Sequence, residues 1–330
     1  MYGERMIMTK TPLRITFVGG GTDLPGYYLH NGPGAVVSAA INKYIHIVVN
    51  KKFDNHIRIS YSKTEIVDSV DKIQHPTVRE ALRLLEIDGG IEIVSISDIP
   101  SGGTGLGSSS TFLVGLLNAL HAWKGEFVSM KELANEAVHI ERGILKEPGG
   151  KQDQYIAAYG GIKLMEFNDD ESVVLKPVIT KESDHMMLKK HLMLLYTGVQ
   201  RSSTSIHTKQ TATISEHLNE YKAMRDLSYE LFDSICNGKW AETGRLLDLN
   251  WKLKRTLSDG ISDPKIDRIY DKALAAGAEG GKLIGAGGGG FLLLFVNPSK
   301  RGAIKAALPE LREEPFEFEA LGSRIVYVGE

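Results

Sequence analysis

PSGGTGLGSSS (100–110), running straight into TFLVGLLNALHAW (111–123), is the stretch on which the fold turns. IEIVSI (91–96) before it alternates in polarity and reads as a strand, while the segment after it is apolar on most faces, the pattern of a buried helix. Gly102, Gly103, Gly105 and Gly107 remove the Cβ atoms that would hold a phosphate away from the backbone. Ser108, Ser109 and Ser110 can cap the helix and also donate hydroxyls. A helix start near Ser109 offers unpaired N–H groups and the positive end of a dipole, which suits a triphosphate. The plainer alternative is a Gly/Ser loop closed by a serine cap. The sequence G-x-x-x-x-G-K-[ST] is excluded, because Ser108 and not lysine follows Gly107. GAGGGG (285–290) satisfies the dinucleotide spacing G-x-G-x-x-G, but it precedes a strand-like FLLLFV (291–296) instead of opening a helix.

Outward from the loop, LRITFV (13–18), VVSAAINKYIHIVV (36–49) and IRISY (57–61) read as strands and EALRLLEI (80–87) as a helix. KELANEAVHIERGILK (131–146) is a helix stopped by Pro148, and GIKLMEF (161–167) returns as a strand. Past about residue 176 long helical patterns dominate, over 205–235, 240–256 and 264–276. HLMLLYTG (191–198), GKLIG (281–285) and FLLLFV supply strands, and FEFEALGSRIVYV (316–328) is a candidate for the last one. The expectation is two α+β halves, 1–175 and 176–330, meeting at a cleft.

The bulk composition narrows the function. With 42% hydrophobic and 24% charged residues, the 330-residue chain has the make-up of a packed protein. A net charge of -2 gives no basis for a nucleic-acid or membrane-surface partner. No apolar run approaches the ~18 residues of a membrane span, and MYGERMIMTK lacks the apolar stretch of a signal peptide. The single cysteine, Cys236, allows no intrachain disulfide. A cytoplasmic location is expected.

Pro100 through Thr111 resembles the phosphate-binding motif of the kinases named for galactokinase, homoserine kinase, mevalonate kinase and phosphomevalonate kinase. TPLRITFVGGGTDLP (11–25) is similar to the first motif of that family and KLIGAGGGGFLLLF (282–295) to its third, so the resemblance spans nearly the whole chain. It implies an N-terminal α+β domain of the ribosomal-protein-S5-like type, a ferredoxin-like C-terminal domain, and an active site between them. It also implies ATP and Mg²⁺, with a phosphate loop formed by Gly102, Gly103, Thr104, Gly105, Leu106, Gly107, Ser108, Ser109 and Ser110.

The resemblance further implies that the metal takes a serine of the second motif, Ser108 or Ser109, and Glu141 in HIERG. A solvated helix glutamate is the other reading of Glu141. Asp153, in EPGGKQDQYIAAYGG (147–161), matches the aspartate that accepts the substrate proton or orients the hydroxyl; otherwise it is a helix-start cap. Arg14 is either a strand residue facing water or, as the resemblance implies, the arginine that stabilises the transferring phosphoryl group or lowers the aspartate pKa. Gly149 and Gly150 would let the backbone turn closely around a substrate, with Lys151 a further basic candidate.

In Gly20, Gly21, Thr22 and Asp23 the first motif has its sugar-kinase form, Asp23 matching the aspartate that bonds sugar hydroxyls. Glycines at 20 and 21 replace the Glu and His of galactokinase, which turns the reading away from galactose. GGGTD, KQDQYIAAYGG and YTGVQRSS (196–203) look closer to the D-glycero-D-manno-heptose 7-phosphate kinases and the fucokinase branch, which phosphorylate the anomeric hydroxyl. A substrate phosphate needs its own anion site, for which Arg201 with Ser202 and Ser203 is the candidate, an ordinary surface arginine being the alternative. Gly288 and Gly289 either approach the substrate or simply turn a hairpin. The expected partner is a small-molecule sugar or sugar phosphate, with no nucleic acid and no membrane, and the chain is expected to be a monomer or homodimer. A non-catalytic sugar and ATP sensor is one competing reading; another enzyme on the same fold, a diphosphomevalonate decarboxylase or a mevalonate-type kinase, is the other, and Asp23 within TDLP speaks against it.

Overall fold

The computed structural model describes residues 5–100, 103–199 and 203–329. The first sheet comprises β1 (Ile7–Val18), β2 (Gly34–Lys51), β3 (Ile57–Ser60), β4 (Thr64–Val67), β5 (Ile91–Ser97), β6 (Ile162–Phe167) and β7 (Val173–Pro177), and the second comprises β8 (Leu192–Tyr196), β9 (Ala278–Leu283), β10 (Phe291–Val296) and β11 (Arg312–Glu313). The last strand, β12 (Arg324–Val328), returns to the first sheet and pairs antiparallel with β1. The helices are α1 (Pro25–Tyr28), α2 (Pro76–Leu84), α3 (Ser108–Lys124), α4 (Met130–Val138), α5 (Gln152–Tyr159), α6 (Glu182–His191), α7 (Ser203–Thr213), α8 (Leu218–Cys236), α9 (Thr243–Lys254), α10 (Pro264–Ala275) and α11 (Arg301–Ala307).

In the first sheet the order is β12-β1-β2-β5-β3-β4. β2 is long enough to serve two neighbours: Gly34–Ala39 pairs with β6 and Ile45–Lys51 with β5, while β1 lies along its other edge. α3, buried on nearly all sides, packs against β1 and β2, which is why its sequence lacks an amphipathic stripe. The second sheet has the order β11-β8-β10-β9 and is antiparallel at every pairing. Counted along the chain this is the ferredoxin-like arrangement, with α7 to α10 inserted between its first two strands. The fold is therefore the two-part α+β one that the sequence predicts. β4, β7 and β11 escape the sequence reading because they are short and largely solvent-facing, so their polarity carries little signal.

The two parts meet backbone to backbone. A Cβ on Gly105 would lie 2.3 Å from the Ile284 carbonyl oxygen, and one on Gly285 only 2.6 Å from Gly105 Cα. Both glycines also hold positive φ, +78° and +83°. Side-chain ties reinforce the contact: Lys282 Nζ donates to Thr16 O at 3.1 Å, and Gly19 N donates to Asn250 Oδ1 at 2.9 Å. The third glycine run is thus a β9–β10 hairpin loop that abuts the loop before α3, so the hairpin reading of it holds.

Gly285→Ala forces this contact apart at a positive-φ position. Chemical denaturation is expected to show a loss of about 2–3 kcal/mol, together with a raised KM for nucleotide. A variant as stable as the parent would mean that the two loops do not meet in this way.

Candidate active site

Arg14 lies on β1 just past Pro12, where the register with β2 shifts. Such a bulge re-aims the side chains that follow and is also where a strand tolerates proline. The Arg14 backbone N–H donates to Leu106 O at 3.1 Å, docking the phosphate loop on the strand. Its guanidinium, 6% exposed, grips Asp153 with two bonds: Nε to Oδ1 and Nη2 to Oδ2, both 2.7 Å. Nη1 turns the other way and donates to Gly105 O. Buried charge is stable only when paired and hydrogen-bonded, and here each of the three guanidinium nitrogens donates. Asp153 sits in the first turn of α5 with no capping bond to that helix, so its carboxylate serves Arg14 and the cavity. Two of its roughly four lone-pair positions remain for a ligand hydroxyl.

The phosphate loop leads into α3 at Ser108, with Gly107 at the N-cap in the left-handed region (φ 78°) and no side-chain cap. The serines therefore stand inside the first turn and do not close it, which corrects the capping expectation. The first N–H groups of α3 are left for an anion, and the Ser108 hydroxyl is buried without a partner among the described residues. Ser109 and Ser110 donate instead to the two oxygens of Glu141, at 3.1 and 2.7 Å. Glu141, 1% exposed, lies in a π-helical turn (His139–Ile144) that continues α4. Wide turns of this kind concentrate at functional sites. Here the turn directs Glu141 toward Ser109, Ser110 and Gln154 while Arg142 next to it donates to Gly150 O and Glu147 O.

Asp23 is buried in the turn after β1, its Oδ1 accepting from Gly21 N at 3.0 Å and its Oδ2 from Gln152 N at 3.3 Å. A Cβ on Gly150 would fall 1.8 Å from Asp23 Oδ2, so this glycine exists to admit the carboxylate. Gly149 instead makes room for the Arg142 guanidinium. Asp23, Gly20, Gly21 and Gln152 line a polar pocket of about 40 Å³, together with Lys254 and His207. The pocket opens beside Arg14 and Asp153 onto a cavity of about 640 Å³ lined by Gly103, Thr104, Gly105, Gly107, the three serines, Glu141 and Gly289. The lining of that cavity also includes a less polar group: His75 stacks on Phe112 (centroids 5.2 Å apart), with Tyr61, Ile45 and Ile99.

Most of the sequence-predicted residues thus converge on one cleft. Thr22 does not reach it; its hydroxyl donates to Gly19 O and Ala35 O, both 2.9 Å away, and holds the turn. Lys151 pairs with Glu171 and lines neither pocket, and Gly288 is tied through its N–H to Ile261 O. Leu106 is wholly buried behind the loop. Gly102, Arg201 and Ser202, and the Ser203 side chain, lie outside the described residues. The sequence reading missed Arg142, Gln152, Gln154, His207 and Lys254. Of these only Arg142 carried a signal, through adjacency to Glu141; the others look like ordinary polar residues of helical stretches.

A loop of backbone amides at a helix start, a buried carboxylate beside hydroxyls, and an arginine-held aspartate facing a polar pocket are the parts that phosphoryl transfer asks of a protein. Comparison with known proteins agrees. The model described as "GHMP kinases N terminal domain" matches residues 73–161, and "GHMP kinases C terminal" matches residues 231–313. The D-glycero-alpha-D-manno-heptose 7-phosphate kinase of Campylobacter jejuni is 31% identical over 320 residues, covering 90% of this chain and 91% of that protein. The L-fucokinase/L-fucose-1-P guanylyltransferase of Bacteroides fragilis is 27% identical over 96% of this chain, which spans 37% of that longer protein. In fold, the crystal structure of a D-glycero-D-manno-heptose 1-phosphate kinase from Bacteriodes thetaiotaomicron matches with a TM-score of 0.81 at 24% identity, covering 98% of this chain and all of that one. The chain belongs to the GHMP kinase family and is an ATP-dependent kinase. No helix among the described residues is long and apolar enough to cross a membrane.

Arg14→Lys keeps the charge but loses the fork that holds both Asp153 oxygens and Gly105 O. Steady-state assays are expected to show kcat lowered by about 10²–10³-fold, and an unchanged kcat would dismiss the fork as a catalytic element.

Proposed function

We propose that this kinase transfers the γ-phosphoryl group of ATP to the anomeric hydroxyl of a sugar or sugar phosphate. Its preferred acceptor in this reading is D-glycero-D-manno-heptose 7-phosphate, converted to the 1,7-bisphosphate. The observation that carries it is the position of Asp153, fixed by Arg14 at the mouth between the large cavity and the pocket that holds Asp23. The nucleotide phosphates lie along the loop and the α3 amides, and the base reaches the His75–Phe112 end. There burial lowers the His75 pKa, and its Nδ1 has no partner among the described residues. The acceptor oxygen forms the new O–P bond as the bond to the β–γ bridging oxygen breaks; ADP leaves, and the hydroxyl proton passes toward Asp153. Arg14 neutralises charge beside the transferring group.

The donor set fits a divalent cation. Glu141 offers a buried carboxylate and Ser109 a hydroxyl at the cavity, hard oxygens of the kind Mg²⁺ takes alongside nucleotide phosphates. When bound, the ion supplies charge neutralisation on the phosphates. Ser109, in contact with Glu141, is the metal-side serine; Ser108, with its unpartnered hydroxyl, is the phosphate-side one.

Support for a sugar comes from Asp23, whose carboxylate can accept from neighbouring hydroxyls of a polyol, and from the 31% identity to a heptose 7-phosphate kinase. The fucokinase relative keeps L-fucose as the second acceptor of this reading. Gly20 and Gly21 let the backbone close on the acceptor, Gly289 lets it approach from the wall of the large cavity, Lys151 stands at the start of α5 paired with Glu171, and Arg201 is the proposed ligand of a substrate phosphate. We place the enzyme in the cytoplasm.

A panel of sugars and sugar phosphates scored by ADP release is expected to rank heptose 7-phosphate above fucose and both well above galactose. Turnover of mevalonate alone would overturn the assignment. Asp153→Asn is expected to bind ATP almost as the parent does, by calorimetry, while turnover disappears; a parental rate removes Asp153 from its role.

A further inference from the structure

Lys254 closes the last turn of α9 inside the acceptor pocket and is 3% exposed. Its ammonium donates to Gly285 O at 2.7 Å, and among the described residues no other hydrogen bond and no ion pair is formed by it. An ammonium has three donors, so two remain unspent. The ideal Cβ position of Gly20 is 3.6 Å away, which places the nitrogen against the first glycine turn and beside Asp23. A buried, half-satisfied cation is costly to retain unless something completes it. The groups facing it are Asp23 and Arg14 from β1 and its turn, Asp153 from α5, His207 from α7 and Lys282 from β9. None of these supplies a bond to it.

We propose that Lys254 is a substrate-binding and specificity-determining residue, whose free N–H groups donate to an oxygen of the acceptor adjacent to the one that donates to Asp23. The pair works as a complementary clamp for two neighbouring oxygens of a polyol, one hydroxyl donating to the carboxylate and the next oxygen accepting from the ammonium. Because the same nitrogen holds Gly285 O, and Gly285 rests on Gly105, a seated acceptor also bears on the loop whose carbonyl holds Arg14. The assignment rests on the sugar-kinase reading above.

The group titrates in an accessible range. Desolvation pushes the Lys254 pKa down to about 8, opposed in part by Asp23. Lys254 therefore carries its proton below that value and loses it above. His207, held by burial at about 4, stays neutral throughout the range in which Lys254 titrates.

The test measures KM for acceptor and for ATP, kcat and melting temperature in the parent, Lys254→Met, Lys254→Gln and Asp23→Asn. Losing a charge-assisted bond in the pocket is expected to raise the acceptor KM about 10- to 100-fold in both Lys254 variants, with ATP KM changed less than about twofold. In the parent, acceptor KM is expected to be level at pH 6.5–7.5 and to climb above about pH 8, and in Lys254→Gln it is expected to be high and level. Should Lys254→Met fold poorly, the glutamine variant and the parental pH profile decide the matter. An acceptor KM near the parental value in Lys254→Gln, or a rise shared equally by ATP, overturns the proposal and leaves Lys254 as a brace for Gly285. If Asp23→Asn raises acceptor KM while Lys254→Gln does not, only the lysine assignment fails. If neither does, or if no sugar is phosphorylated, the sugar-kinase reading itself has failed.

Discussion

A guanidinium buried in a protein interior must find an acceptor for each of its faces, and Arg14 finds them in three separate parts of the chain. The strand carries it, α5 brings the Asp153 carboxylate to two of its nitrogens, and the phosphate loop brings the Gly105 carbonyl to the third. Once the arginine is buried, these three elements have no freedom to sit elsewhere, because displacing any one leaves an unpaired charge or carbonyl in a dry environment. The requirement that stabilises the charge is also what aims the aspartate at the phosphate end of the cavity. Structure and chemistry are joined at one side chain.

The second constraint is the absence of side chains. Gly105 and Gly285 permit a backbone contact between the two parts of the molecule that a methyl group would prevent, and Gly150 does the same for Asp23 against the start of α5. These close approaches bring the Asp23 carboxylate, the glycine loop before α3 and Asp153 within one cleft. A looser junction would separate the acceptor pocket from the phosphates by the width of a water layer, and phosphoryl transfer depends on positioning more than on any covalent assistance.

What the sequence disclosed follows from the range of each interaction. The strand–glycine–helix passage around 91–123 is local, so its periodicity and composition disclosed the strand, the glycine loop and the buried helix directly. Asp153, Glu141 and Asp23 were legible because they sit in motifs with fixed neighbours. The serines were misjudged in one respect: the left-handed backbone of Gly107 starts the helix, a conformational fact that composition does not display. His75, Phe112 and Tyr61 were illegible as a site because they come from separate elements and touch only in three dimensions. The return of β12 to β1 was equally hidden, since strand partners distant in sequence leave no trace in either segment alone.

If the proposed acceptor site is right, the same reasoning explains why the first motif points to a class of acceptor and not to a particular sugar. Gly20, Gly21 and Asp23 form one wall of the acceptor pocket, but the opposite wall is His207 from α7 and Lys254 from α9, helices inserted between the first two strands of the second sheet. An aspartate accepts from any suitably placed hydroxyl, so by itself it discriminates weakly. In the proposal above, discrimination would come from what stands across the pocket, where a neutral imidazole and a buried ammonium would limit which oxygens are tolerated. On that proposal acceptor choice in this chain would reside in the helices between β8 and β9, whose residues look unremarkable in sequence, while the glycine motifs are what reveal the family.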